Sequence, residues 1–307
     1  MTAERIPAVV HLDEDPRAVT LEPVAYVSRI LPFSCVDGPG NRLVIFLQGC
    51  NFNCVSCHNP HTINTCHHCA ECVSECPAGA LTLGGDGKVH WQPSLCTDCD
   101  RCIDVCNDQS SPKIARVSVT ELLAMLLPRA AFIRGVTVSG GEATMQLRFV
   151  IALFKAIKST PALRHLSCFI DSNGQLAERG WQALMPYLDG AMIDIKAWDE
   201  QVHRQLTGRS NRQVLRSISY LAAANALAEV RILHIPHYSD FEREQVNVGA
   251  WLASLPSAVT IRLNGFRQHG VRGQARHWPE CTPAQIRQLR QALIRHSGRE
   301  IPPPLQA

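Results

Sequence analysis

Residues 49–60 read GCNFNCVSCHNP and place Cys50, Cys54 and Cys57 in the spacing C-x3-C-x2-C, with no fourth cysteine on the same spacing. Three thiolates can hold three irons of a four-iron cubane and leave the fourth iron with an open position. A catalytic zinc keeps a position open in the same way, where a structural zinc does not. An open iron invites a substrate, so the chemistry of this chain is expected at these three thiols.

Cysteine is the outlying residue of the composition. Of 14 cysteines, eleven lie between Cys50 and Cys106. The N-terminus, with Glu4, Asp13, Glu14 and Asp15, lacks a basic stretch followed by an apolar one, so a secretory signal is not expected and the setting reads as cytoplasmic. In such a setting clustered thiols are metal ligands rather than disulfides. Cys35, Cys168 and Cys281 stand apart and read as structural. The hydrophobic fraction of 46% and charged fraction of 19% are those of a soluble globular protein. No apolar run approaches the roughly 18 residues that span a bilayer. A net charge of +3 from 30 basic and 27 acidic residues gives no reason to expect nucleic acid as a partner. The length, 307 residues, fits one α/β barrel, about 250 residues with its loops, plus an additional element.

The other clustered thiols form two identical runs. Cys66, Cys69, Cys72 and Cys76 follow C-x2-C-x2-C-x3-C with Pro77 directly after, and Cys96, Cys99, Cys102 and Cys106 repeat the spacing without the proline. This is the pattern of a bacterial two-cluster ferredoxin, in which the fourth cysteine of each run ligates the other cluster. One [4Fe-4S] cluster is therefore expected on Cys66, Cys69, Cys72 and Cys106, and another on Cys76, Cys96, Cys99 and Cys102. Structural zinc is the competing use of C-x2-C pairs. The nearby His61, His67 and His68 read as loop residues, because the thiols already complete both sets.

The surroundings of the triad give it a family. Upstream, SCVDGPGNRLVIFLQGC contains Ser34, Asp37, Gly38, Pro39, Gly40 and Arg42 ahead of a strand and Gln48-Gly49-Cys50; downstream stands CHNP. The chain thereby resembles the radical S-adenosylmethionine (SAM) family, and within it the activating enzymes of glycyl-radical enzymes, in the subclass with a ferredoxin insert. The resemblance runs from about residue 24 to 300. The family often has an aromatic residue just before the third cysteine, where this chain has Ser56; His58 or Phe52 could contribute to adenine contact instead.

Hydrophobic patterning agrees with a parallel βα architecture. Six strands are expected at 42–47, 135–139, 166–170, 190–193, 230–235 and 259–263. Helices are expected near 119–127, 145–159, 176–187, 218–226, 241–254 and 282–296, the last capped by Thr282 with Pro283 following. The implied fold is α/β, a partial (β/α)6 radical SAM barrel made of residues 21–62 and 111–300. A bacterial-type 2[4Fe-4S] ferredoxin-like domain is inserted at 63–110, and flexible tails are expected at 1–20 and 301–307.

In such a fold functional groups gather at the C-terminal ends of strands. There stand Gly140-Gly141-Glu142, the run DSNG from Asp171, and MIDIK, residues 192–196. The resemblance implies that Gly140, Gly141 and Glu142 bind the ammonium of SAM and that Lys196 meets its carboxylate. Ser56, Cys57, His58, Asp194, Ile195 and Arg267 complete the expected SAM contacts, with His269 the alternative to Arg267. It also implies a monovalent cation held by Asp171, Ser172, Met192 and Asp194; an internal salt bridge is the competing reading of these charges. Thr207, Gly208 and Asn211 match a further family block without an assigned role.

The resemblance implies an enzyme with three [4Fe-4S] clusters that uses SAM under anaerobic conditions. Reductive cleavage of SAM at the Cys50/Cys54/Cys57 cluster would give a 5′-deoxyadenosyl radical, which abstracts hydrogen from a backbone glycine of a YjjI-like glycyl-radical enzyme. Flavodoxin or ferredoxin would supply the electron, and the protein would act as a monomer. A radical SAM enzyme acting on a small molecule and an electron-transfer protein of ferredoxin type are the two alternatives.

Overall fold

A computed structural model describes residues 22–304 as two compact units, residues 22–50 with 61–168 and residues 51–60 with 169–304. The expected N-terminal tail and residues 305–307 lie outside the described residues. Ile301, placed in the C-terminal tail by the sequence reading, is fully buried, and its carbonyl accepts from Arg290 Nε at 2.5 Å.

The first unit contains strands β1 (Val24–Ser34), β2 (Arg42–Leu47), β3 (Leu81–Leu83), β4 (Val89–Trp91), β5 (Ala115–Ser118) and β6 (Gly135–Gly140). Its helices are α1 (Arg101–Asp104), α2 (Val119–Leu126) and α3 (Leu147–Ser159). Its main sheet runs β6-β2-β1-β5. β2 pairs with β6 in parallel, from Arg42 opposite Gly135 to Leu47 opposite Gly140. β1 lies antiparallel to both β2 and β5. Buried on both faces, β2 needs an unbroken apolar run, and LVIFL supplies it. Helix α2 opens on a capping box, Ser118 Oγ accepting from Glu121 N at 3.2 Å and Glu121 Oε2 from Ser118 N at 2.7 Å. β3 and β4 form a separate hairpin within the cysteine-rich segment.

The second unit contains β7 (Ser167–Ser172, of which residues 167 and 168 belong to the first unit), β8 (Gly190–Ile195), β9 (Leu227–His234) and β10 (Thr260–Gly265). With them are α4 (Glu178–Leu184), α5 (Glu200–Thr207), α6 (Arg212–Ala223), α7 (Gln245–Ser254) and α8 (Pro283–Ser297). The strands run β7-β8-β9-β10, every pair parallel. Thr282 caps α8 through a box with Gln285, with proline at the first helical position, as its sequence predicts. Trp181 of α4 is fully buried, and its indole N–H donates to Ser217 Oγ of α6 at 2.9 Å. No helix among the described residues is long and apolar enough to cross a membrane.

Among the largest fully buried side chains is a charged one, Arg42. Its guanidinium donates to Thr137 Oγ1 at 2.6 Å, to the carbonyls of Pro39, Val136 and Ser167 at 3.1, 2.8 and 2.9 Å, and to Ser167 Oγ at 2.9 Å. Thr137 Oγ1 passes a hydrogen bond on to the Asp37 carbonyl at 2.6 Å. One side chain thus ties loop 35–41 to β2 and β6. Gly38, at φ +126°, leaves room for it, since a Cβ there would stand 2.9 Å from Arg42 Cδ. Arg42→Met removes the fork and leaves several buried acceptors unpaired. We expect it to lower stability by about 3–5 kcal/mol, read from the urea midpoint under anaerobic conditions. A loss below about 1 kcal/mol would show that the loop is held by something else.

Candidate active site

In the first unit, β2 ends at Leu47 and β6 ends in the glycine pair, and the two ends are locked together by main chain. Gly141 N donates to Leu47 O at 2.9 Å and Glu142 N to Gly49 O at 2.8 Å. Gly49 N and Cys50 N donate in turn to Thr62 O and Ile63 O at 2.8 and 3.0 Å. This approach admits no side chain. A Cβ on Gly140, at φ +129°, would lie 2.2 Å from the Leu47 backbone, and one on Gly141 would lie 2.5 Å from Gly49 O. Glu142 is 1% exposed, and its Oε1 accepts from Thr144 N at 2.9 Å and from Thr144 Oγ1 at 2.6 Å. The carboxylate therefore caps the turn that follows it.

In the second unit, residues 51–60 carry Cys54 and Cys57 and rest on the end of α5. Asn53 N donates to Thr207 O and Val55 N to Leu206 O, both at 3.0 Å. Asn51 Oδ1 accepts from Asn173 Nδ2 at 2.7 Å, and Phe52 meets His203 edge-on at 5.7 Å. The block matched by Thr207, Gly208 and Asn211 thus has a role that its sequence did not disclose: it is the seat of the cysteine loop. Thr207 closes α5, Gly208 at φ +78° ends it, and Asn211 Nδ2 donates to the carbonyls of Ala197 and Trp198 at 3.3 and 2.5 Å. The seat was legible in part, because Asp199 is a good N-cap, accepting from Gln201 N and Val202 N, and Gly208 a good C-cap.

Ser56 is buried. His58 Nε2 donates to the Arg267 carbonyl at 2.9 Å, and its ring stacks on Phe266 at 6.1 Å and 18°. Burial, offset in part by that carbonyl, lowers the His58 pKa and favours the neutral ring. Arg267 contributes its main chain here; its side chain is exposed and paired with Glu280 at 3.1 Å. His269 is exposed as well.

At the end of β8, alternation puts Asp194 and Lys196 on one face and the fully buried Ile195 on the other. Lys196 Nζ lies 2.7 Å from Asp194 Oδ2. Burial works against its charge, but Asp194 and then the thiols of Cys54 and Cys57 outweigh it and raise the lysine pKa. An ammonium held by one carboxylate at a strand end can receive a second one from a ligand. Asp171, at the end of β7, meets Arg231 of β9 at 3.0 Å, and Met192 Sδ lies 3.1 Å from the same guanidinium. Ser172 Oγ accepts from Gly174 N at 3.1 Å.

The two cysteine runs share their backbone path. In each, the second and fourth residues after the first cysteine are left-handed: His68 and Ala70 at φ +64° and +67°, Asp98 and Asp100 at +54° and +56°. The third residue after each last cysteine, Gly79 and Gln109, is left-handed too, at +60° and +49°. A shallow surface hollow is lined by Cys76, Cys96, Cys99 and Cys102 together with Leu81 and Trp91. The remaining thiols bear on one another: burial first, then Cys66, Cys69 and Cys106, push Cys72 up to about 11. Donors face the sulfurs, Ala80 N to Cys76 Sγ at 3.3 Å and Ser110 N to Cys106 Sγ at 3.5 Å. Thiolate is the donor that a cubane takes, while among the described residues no three His, Cys, Asp or Glu side chains stand where they would hold a single metal ion.

Residues 44–246 match the Radical SAM superfamily. The isethionate sulfite-lyase activating enzyme of Desulfovibrio desulfuricans is 28% identical over 266 residues, covering 80% of this chain and 84% of that one. The 4-hydroxyphenylacetate decarboxylase activating enzyme of Clostridioides difficile is 27% identical over 251 residues, 76% of this chain and 78% of the other. A radical SAM methyltransferase from Sphaerobacter thermophilus shares the fold at a TM-score of 0.53 and 12% identity, over 92% of this chain and 77% of its own. By the extent of the family match and the cysteine loop at the end of its parallel strands, the chain is a radical SAM enzyme and belongs to the radical SAM superfamily.

Proposed function

We propose that the protein activates a glycyl-radical enzyme. The observation that carries the reading is Lys196, whose ammonium lies 2.7 Å from Asp194 at the end of β8 in a chain matching the Radical SAM superfamily over residues 44–246. Relatives named as activating enzymes support it. On this reading Cys50, Cys54 and Cys57 hold a [4Fe-4S] cluster with one open iron. Such a cluster, reduced by an external carrier, would supply the one electron that cleaves the C5′–S bond of SAM, giving methionine and a 5′-deoxyadenosyl radical that would take a hydrogen atom from a glycine Cα of the partner. The chain's own residues orient and shield. Lys196 receives the SAM carboxylate, the turn of Gly140, Gly141 and Glu142 receives its ammonium, and the neutral His58 ring, backed by Phe266, offers a flat surface near the loop. No side chain need act as acid or base, because catalysis here is electron delivery and positioning.

The six parallel strands β2 and β6–β10 form the partial (β/α)6 barrel, and residues 63–110 form a ferredoxin-like insert. That insert carries one cluster on Cys66, Cys69, Cys72 and Cys106 and one on Cys76, Cys96, Cys99 and Cys102. Flavodoxin or ferredoxin is the reductant, and the protein works as a cytoplasmic monomer.

Reconstituted anaerobically, the chain should carry about twelve irons, and the Cys50/Cys54/Cys57→Ala triple variant about eight. With dithionite and SAM, the native protein should release 5′-deoxyadenosine, Cys54→Ala none, and a mixture with the partner enzyme should give a glycyl radical by electron paramagnetic resonance. A fully loaded native chain that releases no 5′-deoxyadenosine sinks the reading. Gly141→Ala, which drives a Cβ into the carbonyl ahead of Cys50, should cut 5′-deoxyadenosine formation at least about tenfold while the insert keeps its irons. Unchanged cleavage would remove the glycine pair from the site.

A further inference from the structure

The face that carries Asp194 also carries Asp171, Met192, Glu229, Arg231 and Arg262, and strand register sets them in two rows. Met192 lies opposite Asp171 on β7 and opposite Glu229 on β9; Asp194 lies opposite Arg231, which lies opposite Arg262 on β10. The family resemblance implies a monovalent cation bound by Asp171, Ser172, Met192 and Asp194. The residues present do not fit one. The Arg231 guanidinium already holds the Asp171 side of the place, Nη1 to Asp171 Oδ2 at 3.0 Å, with Nε to Glu229 Oε1 at 2.5 Å and Nη2 to the Met192 sulfur, not the carbonyl a cation would take, at 3.1 Å; Asp194 lies opposite Arg231 in register. Its side chain is 14% exposed, that of Asp171 17% and that of Glu229 9%. Arg262 Nε holds the other Glu229 oxygen at 3.1 Å, and Lys196 holds Asp194 at 2.7 Å. Three carboxylates thus stand against three permanent or paired cations, with no net negative charge for a further ion. Sodium and potassium ask for several hard oxygen donors, whereas a planar guanidinium matches two carboxylates and tolerates a thioether.

We propose that Arg231 is a built-in counter-ion that takes the place of a monovalent cation at the Asp171/Asp194 pair. It acts as a positioning residue, keeping Asp194, and through it Lys196, set for the carboxylate of SAM; in this the proposal rests on the SAM reading of Lys196. An arginine does not lose its proton in the working range, so the counter-charge is always present and independent of salt composition. A bound ion would leave and return with its concentration.

The test measures SAM affinity by equilibrium dialysis on the anaerobically loaded full chain. The salts are tetramethylammonium, sodium and potassium chloride at equal ionic strength. For the native protein the affinity should change less than about twofold among salts, as it should for Arg231→Lys. Arg231→Gln should bind SAM at least about tenfold more weakly in tetramethylammonium and regain at least about fivefold in sodium or potassium. A native protein whose affinity rises fivefold with sodium or potassium overturns the proposal, and so does an Arg231→Gln loss that no small cation relieves. Thermal unfolding in the same salts needs no SAM: Arg231→Gln alone should be stabilised by small cations. That readout decides the counter-ion role even if the loaded chain fails to bind SAM, which would count against the proposed function instead. Should Arg231→Gln not fold, a rubidium soak of native crystals decides. An anomalous peak between Asp171 and Asp194 refutes the proposal, and rubidium-free density there, with the guanidinium in place, supports it.

Discussion

Everything at this site depends on holding a cysteine loop still without using the cysteines to do it. A thiolate that ligates iron cannot also anchor its own backbone, so the anchors must come from elsewhere, and within each unit most of them are main chain. Gly49 N and Cys50 N are fixed to Thr62 and Ile63, and Asn53 N and Val55 N to Thr207 and Leu206. Backbone hydrogen bonds place a loop more narrowly than long side chains do, because no rotamer freedom has to be lost on forming them. The glycine pair follows from the same constraint. Where the main chain of Gly141 and Glu142 meets Leu47 and Gly49, there is no volume for a methyl group.

Charge is the second constraint. Removing an ammonium or a carboxylate from water costs several kcal/mol unless each finds a partner, and the parallel strands of the second unit bring a row of both signs to one face. Pairing is arranged so that no charge is left over: Arg262 completes Glu229, Glu229 and Asp171 hold Arg231, and Asp194 holds Lys196. A ligand with an ammonium and a carboxylate of its own can enter such a network by exchanging partners, without leaving a bare charge behind. Arg42 solves the same problem in the first unit with neutral acceptors, which is why it braces a loop rather than meeting a ligand.

Much of this was legible in the residues. The six parallel strands begin and end within about three residues of where alternation and β-branched runs put them, and the Thr282 cap is where Thr-Pro-x-Gln places it. β1 escaped notice because VAYVSRILPFS, partly exposed and holding a proline, has no clean period of two. Helix α5, eight mostly polar residues, has too little apolar face to register, although its Asp199 and Gly208 caps mark its ends. Helix α6 starts six residues before the expected 218 because its first turn is polar. Asp171 and Asp194 could be found as strand-end carboxylates, but Arg231 could not. Its importance lies in a register between strands almost sixty residues apart in sequence, and nothing local announces it.

The cysteine-rich segment shows how the proposed clusters and the polypeptide depend on each other. Its apolar core is small: Leu81, Val89 and Ile103 are buried there, and the other buried members are Cys72 and Cys102 themselves. A core of that size gives a segment of about fifty residues little to fold around without a staple, and metal ligation is one of the few available. The left-handed residues sharpen the point. His68, Ala70, Asp98 and Asp100 adopt a conformation that costs of order 1 kcal/mol each for a residue with a Cβ, where glycine would be free. Three of the four side chains have work to do. His68 Nδ1 accepts from Val89 N at 3.1 Å, tying the first run to β4, and Asp98 and Asp100 both face Lys113. With cubanes bound to the thiols, ligation energy would offset the backbone cost and the side chains would keep the two runs in register. Without them, the same strain would act on a core too small to resist it.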